Sequence, residues 1–189
     1  MISSKLMKSG RVEIILGCMF SGKSTELIHR ISKYEAILVN TVVINHVWDT
    51  RVEDDAVRTH SGHTRKALKL DKLVPWIGSD EYNSAEIIGI DEAQFFDDLL
   101  DFVKLSEKDN KIIIIAGLDG DFKREPFGQI LYCIPLCDEV IKLNAMDMIS
   151  KDGTPAIFSK RICADTEQTS IGAGDKYVAV SRFNYLKDS

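Results

Sequence analysis

Apolar residues in this chain gather into short, dense runs separated by longer amphipathic stretches. Four runs stand out: residues 11–16 (R-V-E-I-I-L), 41–45 (T-V-V-I-N), 86–90 (E-I-I-G-I) and 112–116 (I-I-I-I-A). They are rich in β-branched residues and too short for helices, the pattern of strands buried on both faces. Between them the period changes. Residues 23–36 set Leu27, Ile28, Ile31 and Tyr34 on one helical stripe, and residues 95–108 set Leu99, Leu100, Phe102 and Val103 opposite acidic positions. Residues 71–77 predict a short helix capped by Asp71 and ended at Pro75, and residues 126–132 one or two further turns. Glu139–Leu143 is expected to be the last strand of the sheet. Strands alternating with helices predict an α/β fold, a mostly parallel sheet flanked by helices with its ligands at the carboxyl edge.

Two stretches break the alternation. Residues 46–66 are polar and crowded with charge, which predicts a loop or exposed hairpin able to fold over a ligand, followed by a short strand at 66–70. From residue 144 the character changes again. Residues 146–149 and 156–159 flank a Lys151-Asp152-Gly153-Thr154 turn and predict a β-hairpin. Residues 163–176 read as a loop and Tyr177–Val180 as a final strand. The expected organisation is a flexible N-terminus over 1–10, a main α/β domain over 11–143, and a small C-terminal hairpin or lasso subdomain over 144–189.

Chemistry enters with Gly17-Cys18-Met19-Phe20-Ser21-Gly22-Lys23-Ser24, a full G-x-x-x-x-G-K-[ST] match between a predicted strand and a predicted helix. The glycines let backbone N–H groups converge on an anion, Lys23 adds a point charge for the outer phosphates, and Ser24 offers a hydroxyl to Mg²⁺. The third run ends in Asp91-Glu92, so a strand edge sets carboxylates beside the phosphate loop. Asp91 is the expected metal partner; Glu92, expected to point the other way along the pleat, is a candidate general base. Arg51 lies on the charged segment, from which a guanidinium can approach a transferring phosphoryl group. Met19, Phe20, Phe95, Leu118, Phe122 and Phe127 sit on ligand-edge loops and predict a flat apolar pocket for a base.

Composition narrows the partners. A net charge of −5 argues against a general nucleic-acid binder. With 44 % apolar and 28 % charged residues, and neither a membrane-length apolar run nor a secretory leader, a soluble cytosolic protein is expected. Cys18, Cys133, Cys137 and Cys163 are then read as reduced thiols, Cys133 and Cys137 as core packing rather than metal ligands.

Taken together these motifs resemble the type II thymidine kinases, the cytosolic and poxvirus-like group. The matching blocks are residues 17–28, Asp49-Thr50-Arg51, residues 88–96 (I-G-I-D-E-A-Q-F-F), residues 116–127 (A-G-L-D-G-D-F-K-R-E-P-F), Ser159-Lys160-Arg161 and residues 171–177. The resemblance implies ATP phosphates on residues 17–24, with Asp49, Thr50, Arg51, Asp91, Glu92, Ala93 and Gln94 around them. It implies catalysis by Glu92, Arg51 and Lys23, and Mg²⁺ held by Ser24 and Asp91. Thymine would lie among Met19, Phe95, Leu118, Phe122, Phe127 and Tyr177, wrapped by Gln168, Thr169, Ser170, Ile171 and Gly172. Deoxyuridine as a second acceptor, feedback by dTTP, a homotetramer and a cytoplasmic location follow from the same resemblance.

There are departures. Cys18 stands for a usual proline, Ala93 for a common glycine, and Ala173 for a second glycine of the wrapping loop. The family's four zinc cysteines fall on Ala145, Met148, Ser181 and Asn184, so zinc is expected to be absent and ATP with Mg²⁺ the only cofactor set. The alternatives are another P-loop nucleoside or nucleotide kinase, a nucleotide-dependent switch, or an inactive nucleotide-binding relative. A nucleotide acceptor would call for an arginine-rich lid, and a guanine switch for N-K-x-D; neither occurs here. The intact phosphate loop and Glu92 count against an inactive chain.

Overall fold

The computed structural model describes residues 9–49, 56–58, 64–163 and 176–187. In chain order its strands are β1 (Arg11–Gly17), β2 (Thr41–His46), β3 (Ala56–Arg58), β4 (Thr64–Lys66), β5 (Leu68–Leu70), β6 (Ile87–Ile90), β7 (Ile112–Gly117), β8 (Glu139–Leu143), β9 (Ala145–Met146), β10 (Pro155–Ala156), β11 (Phe158–Arg161) and β12 (Tyr177–Val180). The α-helices are α1 (Lys23–Glu35), α2 (Asp80–Ser84), α3 (Leu99–Ser106) and α4 (Arg182–Leu186). Six strands form one sheet in the order β5-β2-β6-β7-β1-β8, and every pairing within it is parallel.

The isoleucine runs explain why this sheet is sandwiched. Successive side chains point to opposite faces, so Ile14, Ile88, Ile90, Ile113 and Ile115 meet Leu99, Phe102 and Val103 of α3 on one side. On the other, Ile15, Ile87 and Ile114 meet Leu27 and Ile31 of α1. Each such fully buried side chain contributes roughly 1.5–3 kcal/mol. Glu13, buried within β1, is neutralised by Arg11 at 2.7 Å and Arg30 at 2.5 Å, and Arg30 also reaches Glu139 of β8 at 2.9 Å. Ion pairing is what allows a carboxylate at that depth.

Several local expectations are corrected. The helix expected over 95–108 is interrupted: Ala93–Phe95 is a single 3-10 turn, and α3 starts only at Leu99. Asp98 accepts from the amides of Leu73 (2.9 Å) and Val74 (2.8 Å), drawing the intervening chain away from a helical path. The helix expected over 71–77 is correspondingly a 3-10 turn at Val74–Trp76, capped by Asp98 instead of Asp71. Pro75 lies inside that turn, where its missing N–H is harmless. The turns expected at 126–132 occur at Ile130–Leu136. The short helices α2 and α4 were not anticipated; each starts from a serine, Ser79 accepting from Tyr82 N and Ser181 from Asn184 N.

The charged segment does contain an antiparallel pair, β3 with β4, and β5 joins the sheet edge beside β2. Beyond β8, the expected single hairpin is two antiparallel pairs, β9 with β10 and β11 with β12. Asp147 binds them together. Its Oδ1 accepts from the amides of Ile149 and Ser150, and its Oδ2 from Ser181 N (2.7 Å) and Asn184 Nδ2 (2.9 Å). Burial pushes this carboxyl up, but the hydrogen bonds from Ser181, Ser150 and Asn184 outweigh it and hold it well below the usual carboxylate range. Among the described residues, no helix is long and apolar enough to cross a membrane.

Candidate active site

Because the sheet is parallel, the chain leaves every one of its strands at the same edge, where the phosphate loop after β1, residues 91–94 after β6 and Leu118 after β7 lie. The phosphate loop joins β1 to α1. Gly22 enters the helix with φ 85°, a left-handed conformation that glycine adopts without strain, and Phe20 takes φ 64° despite its side chain. Lys23 Nζ curls back to the carbonyl of Cys18 at 2.8 Å. Ser21 Oγ is buried with no hydrogen-bond partner among the described residues. Cys18 packs against the strands beyond β8. Its Sγ donates to Ala156 O at 3.5 Å and packs with Ala145 and Ala179, and burial pushes the thiol pKa up.

The acids follow β6. Ser24 Oγ donates to Asp91 Oδ1 at 3.0 Å, joining the two halves of the expected metal site. The pleat does not set the direction of Glu92: β6 has ended at Ile90, and Glu92 adopts φ 51°, ψ 40°. A left-handed residue of this kind costs about 1–2 kcal/mol. Leu38, Asn110, Arg124 and Lys151 also have positive φ, so the conformation alone marks no site. Glu92 Oε2 accepts from Gln94 Nε2 at 2.6 Å. Ala93 and Gln94 are buried beside it.

Aromatic residues line the adjoining loops. Phe95 lies edge-on to Phe127 (5.7 Å between centroids) and to Trp48 (5.9 Å), with His46 tilted against it. Burial lowers the His46 pKa, and its Nδ1 accepts from Trp48 N at 3.1 Å, so the ring is neutral there. Asp49 is buried, accepting from Asn45 Nδ2 at 2.7 Å. After β7 come Leu118, then a turn held by Asp121 Oδ1 accepting from the amides of Lys123 and Glu125, which presents Phe122. Thr50, Arg51, Gln168, Thr169, Ser170, Ile171 and Gly172 lie outside the described residues.

Two site residues were missed as such by sequence reasoning. Arg161 on β11 stacks its guanidinium 3.8 Å from the centroid of Phe122 and donates to Tyr177 Oη through Nε (3.1 Å) and Nη2, joining two residues expected around the base. Ser159 on the same strand accepts from Met19 N of the phosphate loop. Both lie in the S-K-R block; their roles depend on the β11–β12 register, which no local pattern specifies.

At the positions of the absent zinc cysteines, Ala145 packs in the small core, Met148 Sδ accepts from Ala179 N at 3.3 Å, and Ser181 and Asn184 serve Asp147. This donor set does not fit zinc. Among the described residues, no cluster of three His, Cys, Asp or Glu could hold a metal ion.

Residues 10–185 match the sequence model of a family described as thymidine kinase. The chain is 42 % identical over 182 residues to thymidine kinase a of Arabidopsis thaliana, covering 94 % of this chain and 76 % of the plant protein. Similarity to the thymidine kinase of raccoon poxvirus is 40 % over 182 residues, 96 % of this chain and 100 % of the viral one. With the thymidine kinase of vaccinia virus (strain Western Reserve) it is 41 % over 180 residues, 95 % and 99 % respectively.

Proposed function

The chain belongs to the thymidine kinase family and phosphorylates thymidine with ATP as donor, and from that premise we propose how its own residues divide the work. The observation that carries this reading is the Ser24–Asp91 contact, which sets the phosphate loop against the acid that ends β6. Residues 17–24 hold the ATP phosphates, with Asp49, Thr50, Arg51, Asp91, Glu92, Ala93 and Gln94 around them. Glu92 takes the proton from the 5′-hydroxyl, whose oxygen attacks the γ-phosphorus. Lys23 and Arg51 stabilise the charge that spreads over the transferring group. Ser24 and Asp91 are the donors that suit Mg²⁺, which when bound to ATP neutralises developing phosphate charge. Thymine packs among Met19, Phe95, Leu118, Phe122, Phe127 and Tyr177, wrapped by residues 168–172.

In this reading residues 11–143 bind nucleotide and 144–189 cap the nucleoside, deoxyuridine is a second acceptor, and dTTP acts as a feedback inhibitor. The protein is cytoplasmic, forms a homotetramer, contains no zinc, and binds neither nucleic acid nor membrane. Sedimentation tests the tetramer, and elemental analysis of protein purified without chelator tests the zinc.

The central experiment is ATP-dependent phosphate transfer across a nucleoside panel, run on wild type and Glu92→Gln. Thymidine and deoxyuridine are expected to lead, because the 4-amino group of deoxycytidine presents a donor where an acceptor is read. Glu92→Gln is expected to lose roughly 10²–10⁴-fold in turnover while still binding ATP. A purine nucleoside as best acceptor, or near wild-type turnover in Glu92→Gln, overturns the respective assignment.

A further inference from the structure

Gln94 is engaged at both ends of its side-chain amide. Its Nε2 donates to Glu92 Oε2 at 2.6 Å, and its Oε1 accepts from the backbone N–H of Leu118 at 3.0 Å. These partners fix the amide's orientation, since the end facing an N–H must be the oxygen. The residue is buried, 3 % exposed. A Cβ on Gly117 would come within 2.8 Å of its Oε1, and one on Gly128 within 2.1 Å of its carbonyl oxygen. Gly128 also holds φ +63°, so two glycines have left the space that Gln94 fills.

The contact matters because of where its two ends lie. Glu92 sits on a left-handed backbone between the end of β6 and the 3-10 turn Ala93–Phe95, so its direction is not that of a strand residue. Leu118 opens the loop that carries Phe122 and Phe127. Gln94 is therefore a direct link between the Glu92 carboxylate and the loop after β7. We propose that Gln94 is a positioning residue for catalysis, holding the Glu92 carboxylate in register with the acceptor loop after β7. The proposal rests on the assignment of Glu92 as base. It adds a second duty to a residue otherwise placed with ATP.

A double-mutant cycle tests it. Gln94→Glu keeps an acceptor for Leu118 N–H but faces Glu92 with a carboxylate instead of a donor. Gln94→Met keeps the length and loses both contacts. Gln94→Glu is expected to lower kcat about 10–100-fold, since a misplacement on the order of 1 Å costs that much. Gln94→Met is expected to lose similarly in kcat and also to raise KM for thymidine, because the Leu118 loop loses its anchor. In a Glu92→Gln background, Gln94→Glu is expected to cost less than about twofold, because no base is left to position. Equal losses in the two backgrounds, or a raised KM with kcat unchanged in either Gln94 variant, overturn the positioning role. Near wild-type turnover in Glu92→Gln alone overturns the base assignment and the proposal with it. Loss in Glu92→Gln with full kcat in both Gln94 variants refutes only the proposal.

Discussion

The backbone N–H of Met19 donates to Ser159 Oγ at 2.9 Å, so the phosphate loop and the strands beyond β8 share a hydrogen bond between residues 140 apart in sequence. Cys18, the residue before, is buried among Ala145, Ala156 and Ala179 of the same strands. The outer side of the loop is thus a packing surface, and the geometry of its anion-facing side depends on those strands.

Ser159→Ala leaves the part-buried Met19 amide without its partner, a loss on the order of 0.5–1.5 kcal/mol. A lowered melting temperature and a several-fold higher KM for ATP are expected. Unchanged stability together with an unchanged KM for ATP would show that the contact does not shape the loop.

Asp91→Asn keeps an oxygen for Ser24 Oγ and removes the charge that attracts the cation. The Mg²⁺ concentration giving half-maximal activity is expected to rise about tenfold or more, with the far-ultraviolet circular dichroism unchanged. A magnesium titration identical to wild type would take Asp91 out of the metal site.

The Asp147 carboxyl is held below its ordinary range, so it contributes stability when ionised. That contribution is present above the unfolded value of about 4 and is lost as pH falls from there toward the depressed folded value. Asp147→Asn is expected to melt below wild type at neutral pH, the gap closing as pH drops past about 4. A gap that stays constant across this range would mean that the charge is irrelevant.

Thiol reactivity should separate by depth. Cys163 is exposed, whereas burial raises the thiol pKa of both Cys18 and Cys133, the latter to about 11, so little thiolate forms at neutral pH. Mass spectrometry after brief iodoacetamide treatment is expected to find Cys163 alkylated first. Rapid labelling of Cys18 in the folded protein would contradict its packed position.

What was legible in the sequence is what short patterns encode. The isoleucine runs announced a sheet covered on both faces, and the phosphate-loop motif together with an acid at a strand end announced the Ser24–Asp91 pair. Interactions between distant segments left no such trace. Asp98 caps amides 25 and 24 residues earlier, which shortened one expected helix and reduced another to a single turn. The direction of Glu92 depends on one left-handed residue, and periodicity cannot signal a break in periodicity. The importance of Gln94 becomes visible only when Leu118, from a different strand end, lies opposite it.

One feature of the sheet bears on how such a site diversifies. β7 lies between β1, which carries the phosphate loop, and β6, which carries the acids. The loop that follows β7 therefore leaves the sheet between the phosphate loop and the acids after β6. Substitutions in that loop can reshape what is phosphorylated while β1 and β6 keep their positions. Through Gln94 that loop is also tied to Glu92, so on the proposed assignments a change of acceptor has to be made without disturbing the seat of the base.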